Sequence, residues 1–203
     1  MDLIEIYKNQ TFYEIMLCGL VRRLPIRQVD KEMWIASNHQ LVLSDVKFIE
    51  KASKELANRI SVKKPDCLVT AESKSLPLVY EIAKKLRHKE VAVARKDLKA
   101  YMNECIVEEV KSITTTTPQK LFLDKENIER IRTKRVCIVD DVVSTGKTFN
   151  ALKNLVSRTK GKVECEAAVW LEGPWYKGDL IYLSTLPVFV TKEKYKSFEV
   201  TPL

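Results

Sequence analysis

Asp140 and Asp141 stand side by side where the apolar run Val136-Cys137-Ile138-Val139 ends, and Val142-Val143-Ser144-Thr145-Gly146-Lys147-Thr148 follows them. Adjacent carboxylates are poor partners for a phosphate. They are good partners for sugar hydroxyls, for a metal-chelated sugar, and for positive charge developing on carbon. The hydroxyl-rich stretch beyond them has the opposite preference. A strand, a short loop with glycine and a helix start would turn backbone N–H groups, Ser/Thr hydroxyls and the positive end of a helix dipole toward an anion. A ligand carrying both a diol and a phosphate satisfies both halves.

Gly146-Lys147-Thr148 also matches the end of the nucleoside-triphosphate loop G-x-x-x-x-G-K-[ST]. That loop needs glycine five residues before Gly146, where this chain has Asp141, so its tight phosphate nest is excluded. A second loop of similar character lies upstream. Glu72-Ser73-Lys74-Ser75 joins the apolar run Cys67-Leu68-Val69-Thr70 to a helical pattern opened by Pro77. Small hydroxyls, one lysine and a helix N-terminus suit a pyrophosphate. Arg95-Lys96 closes the next apolar run, Val91-Ala92-Val93-Ala94.

These loops need strands before them and helices after them. Leu78, Val79, Ile82, Ala83 and Leu86 repeat with helical spacing over residues 77–86. Strands are expected at residues 67–70, 91–94, 136–139 and 167–171, and a helix at about 149–160. Strands alternating with helices imply a parallel sheet that binds ligands at the carboxyl ends of its strands. Residues 108–113 and 120–124 alternate loosely around Thr114-Thr115-Thr116-Thr117-Pro118 and read as a hairpin with a mobile tip. Before about residue 62 the pattern differs. Helical periodicity is read over 2–20 and about 45–60, with Trp34-Ile35-Ala36 between. The expected organisation is an N-terminal segment, 1–61, on a core of 62–203, in one compact unit.

The chain has 203 residues, 45% of them hydrophobic, enough for a real core. No apolar run approaches the roughly 18 residues of a membrane span, and Met1-Asp2-Leu3-Ile4-Glu5 has no signal-peptide character. The five cysteines are scattered without a C-x-x-C pair, and Cys67, Cys137 and Cys165 sit in apolar runs. They read as small core residues in a cytoplasmic protein. The net charge of +8 is spread over lysines interleaved with glutamates, as in Glu50-Lys51-Ala52-Ser53-Lys54-Glu55. Such a surface suits an ion-paired exterior and a polyanionic substrate better than nucleic acid. No membrane or nucleic-acid partner is expected.

The order apolar strand, two acids, two aliphatics, Ser-Thr-Gly-x-Thr resembles the phosphoribosyl-pyrophosphate (PRPP) motif of type I phosphoribosyltransferases. Glu72-Ser73-Lys74-Ser75 resembles their pyrophosphate loop, with Ser75 where glycine is usual. Ser112-Ile113-Thr114-Thr115, Val93-Ala94-Arg95-Lys96 and Ile181-Tyr182-Leu183 before Leu186-Pro187 resemble the purine members, adenine enzymes above all. The resemblance implies an α/β type I phosphoribosyltransferase fold, a parallel sheet flanked by helices, with an N-terminal hood over the base and residues 97–123 as a mobile hairpin loop. It implies transfer of 5-phosphoribosyl from PRPP to a purine, giving AMP and pyrophosphate if the base is adenine. Asp140 and Asp141 would be catalytic, Val143 to Thr148 would hold the 5′-phosphate, and Glu72, Ser73, Lys74, Ser75, Arg95 and Lys96 the pyrophosphate. Mg²⁺ would arrive with PRPP near the two acids. Trp34, Ile35 and Trp170 are candidates for the base pocket. Enzymes for 6-oxopurines usually carry a lysine on the strand after the PRPP helix, and Ala167-Ala168-Val169-Trp170-Leu171 has none, which favours adenine. The adenine family often has a glutamate in the mobile loop, which the Thr114–Thr117 region lacks. Hypoxanthine, guanine or xanthine transfer, and a PRPP- or purine-sensing regulator of the same fold, are the alternatives. The resemblance also implies a homodimer.

Overall fold

The computed structural model describes residues 3–100, 102, 104–110 and 119–200. The chain opens with four strands, β1 (Ile4–Ile6), β2 (Phe12–Leu17), β3 (Leu20–Asp30) and β4 (Met33–Ala36). The helix expected over residues 2–20 is therefore absent. In β2 the exposed Phe12, Glu14 and Met16 alternate with the buried Ile15 and Leu17, a period of two. Cys18 and Gly19, at φ +52° and +69°, make the two-residue turn into β3. Left-handed backbone at both central positions matches the twist of a tight hairpin.

Two helices follow, α1 (His39–Ser44) and α2 (Val46–Ser61). Asp45 starts α2 by accepting a 2.9 Å bond from the Phe48 amide and pairs with Arg22 of β3 at 2.6 Å. Phe48, Ile49, Ala52, Leu56, Ala57 and Ile60 form its buried stripe. Next come β5 (Cys67–Ala71), α3 (Leu76–Leu86) and β6 (Ala92–Ala94), then the hairpin β7 (Ile106–Val110) and β8 (Gln119–Leu123). The hairpin tip, with the resemblance noted at Ser112-Ile113-Thr114-Thr115, lies outside the described residues. Helix α4 (Lys125–Ile131), strand β9 (Arg135–Val143), helix α5 (Lys147–Arg158) and strands β10 (Lys162–Glu172), β11 (Leu180–Leu186) and β12 (Val188–Val190) complete the body before α6 (Lys192–Val200).

The central sheet runs β11-β10-β9-β5-β6 and every pair in it is parallel. Its middle strands are buried along most of their length, as sheets covered on both faces are. Leu56, Ile60, Leu78, Val79 and Ile82 of α2 and α3 share one core with Cys137, Val139 and Val169, and Phe149, Leu152 and Leu155 of α5 share the other with Val136, Ile138 and Ala168. From β5 the chain moves outward to β6, whereas from β9 it moves the other way to β10 and β11. The strand order thus reverses between β5 and β9, and in open α/β sheets the ligand crevice lies at such a point.

A second sheet, β1-β12-β4-β3-β2, forms the hood. It takes β12 from the far end of the chain, which pairs with both β1 and β4. Helix α2, though it lies before residue 62, packs on the core sheet. Across the expected 61/62 division, α2 thus lies with the core sheet and β12 with the hood.

Candidate active site

The loops after β5 and β9 meet at the reversal point. Ala71, Glu72, Ser73, Lys74, Asp140, Asp141 and Thr148 line a cavity of about 210 Å³, with Lys96 and, from the hairpin, Val110, Gln119 and Leu121. Five of the expected site residues are thereby brought together with both acids. The wall supplied by the hairpin is tied down at its base. Arg95 and Phe122 exchange backbone hydrogen bonds of 2.8 and 2.7 Å, and Arg158 of α5 donates to the Val107 carbonyl at 2.7 Å.

Asp141 is 2% exposed, and its Oδ2 accepts hydrogen bonds from Lys74 Nζ and Asn38 Nδ2, each at 3.0 Å. A buried carboxylate needs such partners to remain charged. One bond comes from the pyrophosphate-type loop and the other from the end of the hood, so this aspartate ties the β5 loop and the hood to β9. Asp140 keeps part of its surface open to the cavity while protein surrounds its carboxyl. Burial first, and the neighbouring Asp141 charge second, push its pKa well above the usual carboxylate range. The carboxyl of Asp140 also accepts the Asp141 amide at 2.8 Å.

In the loop after β5, Glu72 accepts the Lys96 amide at 2.9 Å and lies 2.8 Å from Arg95 Nε as an ion pair, although that N–H has no aligned acceptor. The Glu72–Ser73 peptide bond is cis. Ser75 has an ordinary helical φ of −78°, so serine in place of glycine needs no left-handed backbone here. Its side chain turns inward, 1% exposed, and its hydroxyl shares a 2.9 Å hydrogen bond with Thr70. The Ser75 hydroxyl is thus engaged within the fold.

After β9, Ser144 is half-buried, Thr145 exposed, and Gly146 caps α5 at φ +73°. The first-turn N–H groups of α5 have no partner inside the helix. Val143 is 3% exposed and belongs to the core, so only its backbone could serve a phosphate.

Of the proposed base-pocket residues, Trp170 is fully buried and stacks on Phe48 at 5.5 Å. It is core and lines no open cavity. Trp34 and Ile35 lie half-buried on β4, with one face of Trp34 covered by Tyr7 at 4.1 Å. The hood side chain that does reach the acids is Asn38. Its contact spans 103 positions, and the only local hint was a polar cluster, Ser37-Asn38-His39-Gln40, ahead of a helix.

Glu172 was also missed. It ends β10, is 9% exposed, and its neighbour Leu171 sits opposite Val143, one residue before Ser144. Burial pushes its pKa up to about 7, against the pull of the Ser144 hydroxyl and of Lys74.

A doubly covered parallel sheet with paired acids and a hydroxyl loop at its strand-order reversal places this chain among the open, doubly wound α/β folds. The phosphoribosyl transferase domain model matches residues 40–196, and the chain belongs to that family. It is 25% identical over 148 residues, 72% of its length and 75% of the relative's, to xanthine phosphoribosyltransferase of Clostridium tetani. It is 26% identical over 161 residues to the purine biosynthesis repressor PurR of Bacillus subtilis, covering 78% of this chain but 55% of the repressor. Adenine phosphoribosyltransferase of Thermoanaerobacter pseudethanolicus has a similar structure, with a TM-score of 0.63 over 86% of this chain and 95% of that one, at 21% identity.

Proposed function

We propose that this chain transfers the 5-phosphoribosyl group of PRPP to a purine base, adenine first, releasing pyrophosphate and forming AMP. The carrying observation is the convergence of Asp140, Asp141, Lys74, Lys96 and Thr148 on one cavity at the reversal point. In the reaction the bond from the anomeric carbon to pyrophosphate breaks, a purine nitrogen bonds that carbon, and the base's N–H proton passes to solvent. Asp140 and Asp141 orient the ribose hydroxyls and favour the positive charge developing on the sugar. Lys74, with Arg95 and Lys96 at the rim, neutralises the departing pyrophosphate. The loop from Ser144 to Thr148 holds the 5′-phosphate.

Mg²⁺ fits this donor set as a guest of the substrate. The described residues hold no cluster of three or more His, Cys, Asp or Glu able to cage a metal. Two carboxylates on a small cavity suit a hard cation whose other ligands are phosphate oxygens and water. Bound with PRPP near Asp140 and Asp141, it would neutralise pyrophosphate charge.

For the base, β10 carries no lysine beyond Lys162 at its far end, so this strand offers no ammonium donor to a 6-oxo group, which favours a 6-amino purine. The xanthine enzyme among the relatives supports the competing reading, transfer to a 6-oxopurine. We place the activity in the cytoplasm in a homodimer, which light scattering on the purified protein tests. Among the described residues no helix is long and apolar enough to cross a membrane.

Incubation with PRPP, Mg²⁺ and each of adenine, hypoxanthine, guanine and xanthine, read by chromatography, tests the reading. AMP from adenine alone is the expected result. IMP, GMP or XMP in its place overturns the base assignment. PRPP binding without any nucleotide product moves the function to a sensor, as the relation to PurR allows.

A further inference from the structure

Tyr176 comes from the connection between β10 and β11, yet its ring lies against Gly146, the residue that turns the loop after β9 into α5. A Cβ added at Gly146 would overlap that ring, and one added at Gly178 would overlap its hydroxyl end. The ring is therefore wedged between two glycines. Three further contacts hold it there. Its hydroxyl donates to Glu166 of β10, Lys153 of α5 reaches the same carboxylate at 3.0 Å and sits 5.8 Å above the ring, and Phe149 meets the ring edge-on at 6.1 Å. Glu166 is 8% exposed. A tyrosine wedged in this way, with its hydroxyl on a buried carboxylate shared with a lysine, is fixed at both ends.

We propose that Tyr176 is a positioning residue for the phosphate loop. It acts through Gly146, and the inference rests on the reading of residues 144–148 as the 5′-phosphate cradle. Gly146 occupies a left-handed conformation at φ +73°, and glycine in that state is free to relax toward many others. The ring closes the space into which the turn would open. Glu166 and Lys153 lock the ring to β10, the strand paired with β9, and to α5, the helix the loop opens. The preformed turn spares phosphate binding the ordering of the loop, which otherwise weakens affinity.

The experiment compares wild type, Tyr176→Phe and Tyr176→Leu. Calorimetry reads the dissociation constant for ribose 5-phosphate, kinetics reads KM for PRPP and for the base separately, and melting reads stability. Tyr176→Phe keeps the wedge but loses the Glu166 bond, and should bind ribose 5-phosphate about threefold more weakly. Tyr176→Leu should lose about tenfold or more in that affinity and raise KM for PRPP by a similar factor, with KM for the base near wild type. A lower melting temperature with unchanged ribose 5-phosphate affinity in both variants overturns the inference, because it shows a purely structural tyrosine. Unchanged affinity in Tyr176→Phe alone overturns it if Tyr176→Leu does not fold. Equal losses for PRPP and base also overturn it. Wild-type protein that binds neither ribose 5-phosphate nor PRPP removes the cradle itself, and the inference with it.

Discussion

Asp140 and Glu172 are acids held in surroundings that resist their charge, and this has separable consequences for activity and for stability. Asp140→Asn removes a carboxylate repelled by Asp141. It should leave the melting temperature at pH 8 equal or higher while cutting turnover by about a hundredfold, the scale of a lost transition-state electrostatic partner. Parallel losses of melting temperature and turnover would show that the acid serves the fold instead. Glu172 gives a pH signature. Its folded pKa of about 7 lies above the ordinary 4.5, so across that window the native state holds a proton that the unfolded chain has released. Stability therefore falls as pH rises from 4.5 to about 7, and the cost stays constant above that. Glu172→Gln abolishes it. Its melting temperature relative to wild type should rise between about pH 5 and pH 8, by the equivalent of up to about 3 kcal/mol. A difference that does not change with pH would contradict the assignment.

At the level of elements, the start of each helix decides how well the site is held. Ser75 begins α3 with a normal backbone and an inward hydroxyl. Ser75→Gly, which restores the residue usual in the family, should cost about 1–2 kcal/mol through backbone entropy and the lost bond to Thr70, without tightening pyrophosphate binding. Denaturant unfolding and product inhibition by pyrophosphate measure the two effects. Asp45 caps α2 and also holds Arg22. Asp45→Ala should destabilise by about 1–2 kcal/mol, read as a lower urea midpoint. Because Asp45 does not line the cavity, that loss should appear in unfolding and leave KM for PRPP unchanged.

At the level of the molecule, a net charge of +8 surrounds the cavity at which PRPP binding is proposed. KM for PRPP should rise several-fold between about 50 and about 500 mM salt, while KM for an uncharged base changes little. Equal salt dependence for both would mean that the field does not steer the substrate. The hood is held to the core by more than packing. Its sheet borrows β12, and Asn38 reaches Asp141 from above. A side chain at the end of the hood thus hydrogen-bonds directly to one of the two cavity acids, Asp141.

The sequence by itself determined the chemistry-bearing loops and the strands and helices around them, because those signals are local. An apolar strand, paired acids, hydroxyls and a glycine follow one another within one turn of chain, and the stripe of α3 repeats every three or four residues. The sequence could not determine the layers or the distant members of the site. The N-terminal strands looked helical because their short apolar clusters satisfy either period, and pairing across the sheet decided for the strand. Strand β12 is three residues long, too short to carry a periodic signal, and owes its existence to partners at the opposite end of the chain. Trp170 suited a base pocket by type alone, until Phe48 of α2 was packed against it. Beyond the polar cluster around Asn38, none of Asn38, Glu172 and Tyr176 has a local mark of function. Each owes its place to contacts with the β5 and β9 loops made across the fold, and only the tertiary structure brings those groups within bonding distance.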